Sequence, residues 1–319
     1  MDRIIPKSIK VGDTIGIVSP SGPVRDMLQF QKGADYLIRR GYNLKIGEHA
    51  LDRVYHMSAY GKKKAADINA MFENSSIKAI FPSVGGHTTN QVIEYLNFDI
   101  IRQNPKIIVG FSDNSLLLNI IYAKTKLVSL HSLADVMFGL GEFGTQKLQT
   151  GGKYTEEYLI KSLESGKVLG KVVPLTKWEC LKEGIGTGIA LGGNLSTLRT
   201  LIGTKYEPDW NGAVLFLEDR AEPHVWDQQL GHLRLCGLLS KLEGLVIGKV
   251  DTKPEQFYKE NYQNIQGIVT RHCEGYNFPI IYGADFGHDV ENFTIPIGGK
   301  VKIDAKNLEI EFLEPATLN

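Results

Sequence analysis

Short apolar runs and helical stripes alternate through the first half of the chain. Thr14 to Ser19 (TIGIVS) reads as a buried strand. From about Val24 a helix follows, with Met27, Phe30, Leu37 and Ile38 on one stripe. The pattern then repeats as strand Asn43 to Ile46, helix Lys62 to Phe72, strand Lys78 to Pro82 and helix Asn90 to Leu96. Strand Ile107 to Gly110, an amphipathic helix over Asn114 to Ala123 and strand Leu127 to Leu130 complete the set. Strands alternating with helices predict a parallel sheet covered on both faces. In such α/β sheets, sites form beyond the C-terminal ends of the strands.

Residues 139–155 (GLGEFGTQKLQTGGKYT) are rich in glycine and polar groups, and a helix follows over Glu156 to Ser165. The junction between an N-terminal domain, 1–150, and a C-terminal domain, 166–319, is expected there. The second half has shorter, more mixed runs: Val168 to Leu175, Gly188 to Leu191, Ala213 to Leu217, Gly244 to Ile247, Ile280 to Tyr282, Lys300 to Ile303 and Leu308 to Phe312. Helices fit Asn194 to Ile202, His224 to Leu235 and Glu255 to Cys273. A smaller mixed α/β domain with more antiparallel strand is expected. No internal repeat or low-complexity tract interrupts the chain.

A length of 319 residues suits two domains at roughly 150 each. Lys plus Arg and Asp plus Glu both number 36, so the formal net charge is zero. A neutral chain has no electrostatic case for binding a nucleic acid polymer or an anionic membrane. No run approaches the roughly 20 apolar residues needed to span a bilayer. The opening MDRIIPKSIKVGDTIGIVSPSG has no apolar core followed by a small-residue cleavage site, so it is not a secretory signal. Cys180, Cys236 and Cys273 are widely spaced, without a CxxC pair. Reduced thiols in a cytoplasmic protein are expected.

Four segments carry candidate chemistry. In IIVGFSDNSLLLNIIYAK, an apolar run ends at Gly110 and Ser112 follows just before a helix. Gly110 leaves room for a tight turn, which would hold the Ser112 hydroxyl at the edge of the sheet. The amides of Asp113 and Asn114 would be free donors at the helix start, facing a developing oxyanion. The G-x-S-x-G elbow is not met, since Asn114 replaces the second glycine. The plain alternative is that Ser112 or Asp113 caps the helix. In FPSVGGHTTNQV, Gly85 and Gly86 let backbone amides approach a ligand, as a second oxyanion donor, a phosphate cradle or a simple turn. AVLFLED places Glu218 and Asp219 at a strand end. PIIYGADFGHDVENF presents Asp285, His288 and Asp289 on a glycine-bounded loop after an apolar run. A metal reading of those three lacks any HxxxH or HExxH spacing. Together the segments give Ser, Glu and His, each just after a strand, in an order known for convergent triads.

These segments resemble the LD-carboxypeptidases of peptidase family S66, which include the microcin C immunity proteins. GDTIGIVSPSGPV (12–24), NPKIIVGFSDNSLL (104–117), LGGNLSTL (191–198), VLFLED (214–219) and DFGH (285–288) match the family's landmarks in order. The resemblance implies a flavodoxin-like N-terminal domain, a mixed α/β C-terminal domain, a homodimer and no metal or organic cofactor. It implies Ser112 as nucleophile, His288 as base, Glu218 as its orienting partner, and the amides of Gly86 and Asp113 as the oxyanion hole. Asn114 stands where the family has an apolar residue, so it and Gly85 bear on the pocket beside the nucleophile. Two substrate classes compete: the L,D-tetrapeptide of murein recycling, releasing D-alanine, and a peptidyl or aminoacyl nucleotide of the microcin type. Trp178 offers either a platform for a nucleobase or a large apolar anchor. Arg199, Arg220 and Lys249 are candidates for holding a substrate carboxylate. Rivals of another class are a non-catalytic nucleotide-binding module on the Gly85–Gly86 loop and an inactive scaffold.

Overall fold

Near-continuous apolar runs become the central strands of a parallel sheet, because helices deny water to both faces. The computed structural model describes residues 2–133, 152–250, 263–288 and 290–319. Thr14–Val18 (β1), Asn43–Ile46 (β2), Ile77–Pro82 (β3), Ile107–Gly110 (β4) and Ser129–His131 (β5) pair in parallel in the order β2-β1-β3-β4-β5. This is the flavodoxin-like order, with its topological switch point between β1 and β3.

Met27–Arg39 (α1), Gly61–Glu73 (α2), Phe98–Gln103 (α3), Ser115–Thr125 (α4) and Lys153–Glu164 (α5) are the helices of this half. The α1 helix starts later than its apolar stripe suggests because Asp26 caps it, accepting from the Leu28 and Gln29 amides at 2.9 and 3.1 Å. The helix expected over Asn90 to Leu96 is a 3-10 stretch, Thr89–Tyr95. The α3 helix was not foreseen; Asn97 caps it by accepting from Ile100 N at 3.0 Å. The helix after Ser112 differs from expectation in kind. It is not amphipathic: Ser115 through Tyr122 are all buried. It packs between β4 and β5 on one side and the second domain on the other, so water reaches neither flank.

The second half contributes Val168–Lys171 (β6), Glu179–Lys182 (β7), Ile185–Asn194 (β8), Ala213–Glu218 (β9), Leu242–Gly248 (β10), Ile280–Ala284 (β11), Ile295–Ile297 (β12), Lys300–Asp304 (β13) and Glu309–Pro315 (β14). Eight of these strands form one sheet, β6-β14-β13-β8-β9-β10-β11-β7, so the second sheet is wider than the first. Its β8 to β11 core is parallel and its flanks are antiparallel. Leu195–Leu198 (α6), Pro223–Leu235 (α7) and Ile265–His272 (α8) accompany it. Within the helix expected over 255–273, residues 255–262 lie outside the described residues, as do 139–151 of the expected junction. The β12 strand crosses back to the first sheet and pairs antiparallel with β5. Its Pro296 has no N–H to donate and fits an edge position. The two halves therefore share a sheet as well as an interface.

Among the described residues no helix is long and apolar enough to cross a membrane. Cys180, Cys236 and Cys273 are unpaired.

Candidate active site

Ser112, Glu218 and His288 meet at the C-terminal ends of β4, β9 and β11. His288 Nε2 lies 2.9 Å from Ser112 Oγ. His288 Nδ1 lies 2.6 Å from Glu218 Oε2. Glu218 is the last residue of β9 and is 1% exposed. In the parallel β8–β9 register its partner is Asn194, whose Nδ2 donates to Glu218 Oε1 at 3.2 Å. Asn194 Oδ1 is committed elsewhere, accepting from Thr197 N at 3.1 Å as the cap of α6. Both carboxylate oxygens of Glu218 are therefore engaged, one by each neighbour.

The turn that presents Ser112 is tight and strained. Ser112 has φ +54°, left-handed backbone that an L side chain enters at a cost of about 1–2 kcal/mol. A Cβ on Gly110 would come within 3.1 Å of the Asn114 carbonyl oxygen, which explains the glycine. Several side chains hold the turn in place. Ser115 Oγ donates to Ser112 O at 2.6 Å and accepts from Asn194 N at 3.1 Å, so the Ser112 turn and the Glu218 brace share a hydroxyl. Asn119 on α4 bonds both ways with Gly192 on β8, at 2.7 and 3.0 Å. The His288 loop is pinned by Asn292, whose Oδ1 accepts from Gly287 N at 2.7 Å and whose Nδ2 donates to Gly287 O at 2.9 Å.

Burial is the largest influence on both titrating partners, and it opposes charge on each. The mutual attraction and hydrogen bond of the pair outweigh it. They hold the Glu218 carboxyl below its usual value and His288 above its own. Phe111 lies against this imidazole, ring centroids 4.7 Å apart, and against His131 at 5.4 Å. His131 is fully buried, and neither ring nitrogen has a partner. Burial pushes it down to about 4, so it is neutral and adds no second positive charge beside His288.

The double-glycine loop lies directly against the serine. A Cβ on Gly85 would sit 3.3 Å from Ser112 Cβ. Gly86 has φ +153°, and a Cβ there would strike Ser21 Oγ at 2.5 Å, so only glycine fits. Of the two amides expected to be free, Asn114 N is not: it donates to Phe111 O at 3.0 Å. The Asn114 side chain is 2% exposed and braces the loop, donating to Val84 O at 3.1 Å and accepting from Thr89 Oγ1 at 3.3 Å. It is part of the scaffold behind the Gly85–Gly86 loop. The Asp113 carboxylate also turns inward, accepting from Thr89 N at 2.8 Å, from Thr197 Oγ1 at 3.2 Å and from Ser21 Oγ.

Trp178 takes the second of its two readings. It is 2% exposed, and its indole N–H donates to Asp285 Oδ2 at 2.8 Å. No ring face is open to a base. Asp285 accepts in addition from Leu175 N, Thr176 N and Thr176 Oγ1, so its lone pairs are spent on the 175–178 segment. That removes it from any metal set, and Asp289 lies outside the described residues. No group of three or more His, Cys, Asp or Glu among the described residues could hold a metal ion.

Asn194, Asn292, Ser115 and Phe111 are site residues that the sequence reading missed. Only Asn194 had a visible signal, as a capping residue directly after the strand-ending LGG.

The fold is a two-domain α/β architecture whose two halves each match a family domain. Residues 15–132 match the LD-carboxypeptidase N-terminal domain and residues 187–303 the LD-carboxypeptidase C-terminal domain. The chain belongs to the LD-carboxypeptidase family. Among its relatives, a putative carboxypeptidase of Bacillus subtilis, YocD, is 29% identical over 93% of this chain and 95% of its own. The microcin C7 self-immunity protein MccF of Escherichia coli is 29% identical over 98% and 96%. Among solved structures, MccF in complex with aspartyl sulfamoyl adenosine superposes with a TM-score of 0.87, at 28% identity, covering 98% of this chain and 99% of that one. The MccF-like protein of Bacillus anthracis superposes with a TM-score of 0.86 at 30% identity and the same coverage. The family places this chain among peptidases.

Proposed function

We propose that the protein is a serine carboxypeptidase that hydrolyses an amide bond near a free carboxyl end. The observation that carries this reading is the unbroken hydrogen-bond chain Ser112–His288–Glu218, at 2.9 and 2.6 Å. Neutral His288 takes the Ser112 proton as the hydroxyl oxygen attacks the carbonyl carbon. Glu218 fixes the imidazole with its proton on Nδ1 and stabilises the imidazolium that forms. The amides of Asp113 and Gly86 receive the oxyanion, and loss of one such donor typically costs ~10²–10³ in rate. His288 then protonates the leaving amine, and water releases the acyl group through the same base. Arg199, Arg220 and Lys249 are the candidate cations for a substrate carboxylate.

The L,D-tetrapeptide of murein recycling satisfies this chemistry. A second substrate, an aminoacyl nucleotide of the microcin type, is favoured by the whole-length likeness to MccF and by the ligand in that complex. The test offers purified protein both compounds, tetrapeptide and aspartyl sulfamoyl adenosine, and measures free D-alanine and free sulfamoyl nucleoside. Release of either by the wild type, abolished in Ser112→Ala, is the expected result. Inertness toward both, or release that survives the substitution, contradicts the proposal.

The same assay has a pH signature. His288 must be neutral to accept a proton, and its partner raises it above 6.5. The rate constant kcat/KM is therefore expected to fall on acidification through a single ionisation centred above 6.5. Stability moves the other way. The contribution of His288 is complete below 6.5, its unfolded value, and fades as pH rises through the folded value. That of Glu218 is present above 4.5 and is lost as pH falls through its depressed folded value. A flat kcat/KM profile between pH 5 and 8 would refute His288 as the base.

A further inference from the structure

Lys64 stands in the wall behind the site and has no part in the chemistry above. It lies on α2 and is 2% exposed. Its Nζ donates to Thr88 O and to Thr88 Oγ1, both at 2.9 Å. Thr88 closes the loop that begins with Gly85 and Gly86. From there the bonds run back to the nucleophile turn. Thr88 N donates to Ser21 Oγ at 3.3 Å, and Thr88 Oγ1 donates to Ser21 O at 3.1 Å. Ser21 Oγ donates to the Asp113 carboxylate, which also takes Thr89 N. The other end of the loop is tied where Gly22 N donates to Gly85 O at 3.1 Å.

Packing does not explain an ammonium here. Burial pushes Lys64 down to about 8, and the opposing charge of Asp113 offsets this only in part. The unfolded chain holds the proton to 10.5 while the fold releases it near 8. Protonated Lys64 therefore destabilises the fold at pH 7, and the penalty is relieved as pH rises between those values. Nor does Thr88 need the lysine for satisfaction, since Thr88 O also accepts from Gln91 N at 3.2 Å. A buried cation kept against stability, bonded to the loop that lies against Ser112, is the kind of local conflict that marks function.

We infer that Lys64 is a positioning residue: its ammonium fixes Thr88 and thereby sets the Gly85–Gly86 loop against Ser112, keeping the Gly86 amide aimed at the oxyanion. This rests on the proposed serine chemistry, so the test must separate the two. A fluorophosphonate serves, because it reports the serine without any choice of substrate. Ser112 Oγ attacks phosphorus, the P–F bond breaks, fluoride leaves, and the proton passes to His288. The phosphoryl oxygen occupies the oxyanion position. The maximal labelling rate and the half-saturating reagent concentration are read by intact mass.

In Lys64→Met the maximal rate is expected to fall about 10- to 100-fold, the half-saturating concentration to stay within about twofold, and Tm to hold or rise. Lys64→Arg, which keeps donors and charge, is expected to recover most of the rate. Wild-type labelling by Lys64→Met overturns the inference. So does an Arg variant as slow as the Met variant, or a loss of rate matched by a loss of Tm in both. A wild-type protein that takes no label would instead bring down the nucleophile assignment itself.

Discussion

Ser112→Ala is expected to lower kcat/KM by at least ~10⁴-fold while leaving the fold intact. Without Oγ no acyl-enzyme forms, and what survives comes from the oxyanion donors and binding, which in triad enzymes still give ~10³–10⁴ over water. The fold should not register the change, because among the described residues the Ser112 side chain makes one hydrogen bond, to His288. A companion substitution sharpens the claim. At φ +54° residue 112 is in left-handed backbone, a conformation glycine adopts without penalty. Ser112→Gly should therefore be inactive yet more stable than Ser112→Ala by about 1 kcal/mol, or roughly 2 °C in Tm. Kinetics and thermal melts of the two variants check this. An alanine variant within tenfold of wild type, or a glycine variant less stable than the alanine one, contradicts the account.

Glu218→Gln is expected to lower kcat/KM by about 10⁴-fold, the scale on which a triad with the wrong imidazole tautomer fails. Asn194 decides the outcome. Its Nδ2 faces Glu218 Oε1, and its orientation is fixed because Oδ1 accepts from Thr197 N. A glutamine must present its own oxygen to that donor, and its NH₂ then faces His288 Nδ1. The imidazole answers by carrying its proton on Nε2, where it cannot accept one from Ser112. The shape of the site is unchanged, so KM should move little. Activity within tenfold of wild type would show that Glu218 does not set the tautomer.

The local half of this arrangement is visible in the sequence. The apolar run Ile107 to Gly110 ending at a glycine, followed by Ser112 and a helix, predicts a strand, a tight turn and an exposed hydroxyl. Glu218 and His288 each follow an apolar run, so each is placed at a strand's C-terminal end. That the first five strands run parallel follows from their alternation with helices; their order, with β1 between β2 and β3, does not. What the sequence hides is non-local. Asn194 becomes the neighbour of Glu218 only through the β8–β9 register. Lys64 reaches Thr88 only because α2 packs against the 3-10 stretch after β3. The β12 strand is three residues long and contains a proline, too short and too broken to read as a strand without β5 beside it. Trp178 shows the limit most plainly. A tryptophan shortly after the run Val168 to Leu175 suits a ligand platform or a core anchor equally, and the buried Asp285 carboxylate decides between them. The helix after Ser112 looked amphipathic because Asn119 and Tyr122 interrupt its apolar run. In the fold, Asn119 is a clamp to Gly192, and the interruption is internal.

Residues that act as one chemical unit lose their effect together. The direct measurement is therefore a double-mutant cycle on kcat/KM with Ser112→Ala, His288→Ala and the pair combined. If hydroxyl and imidazole serve a single proton transfer, the double variant falls no further than the worse single one, within about threefold. If the two losses multiply, the serine and the histidine work independently, and the shared reaction assigned to them is wrong.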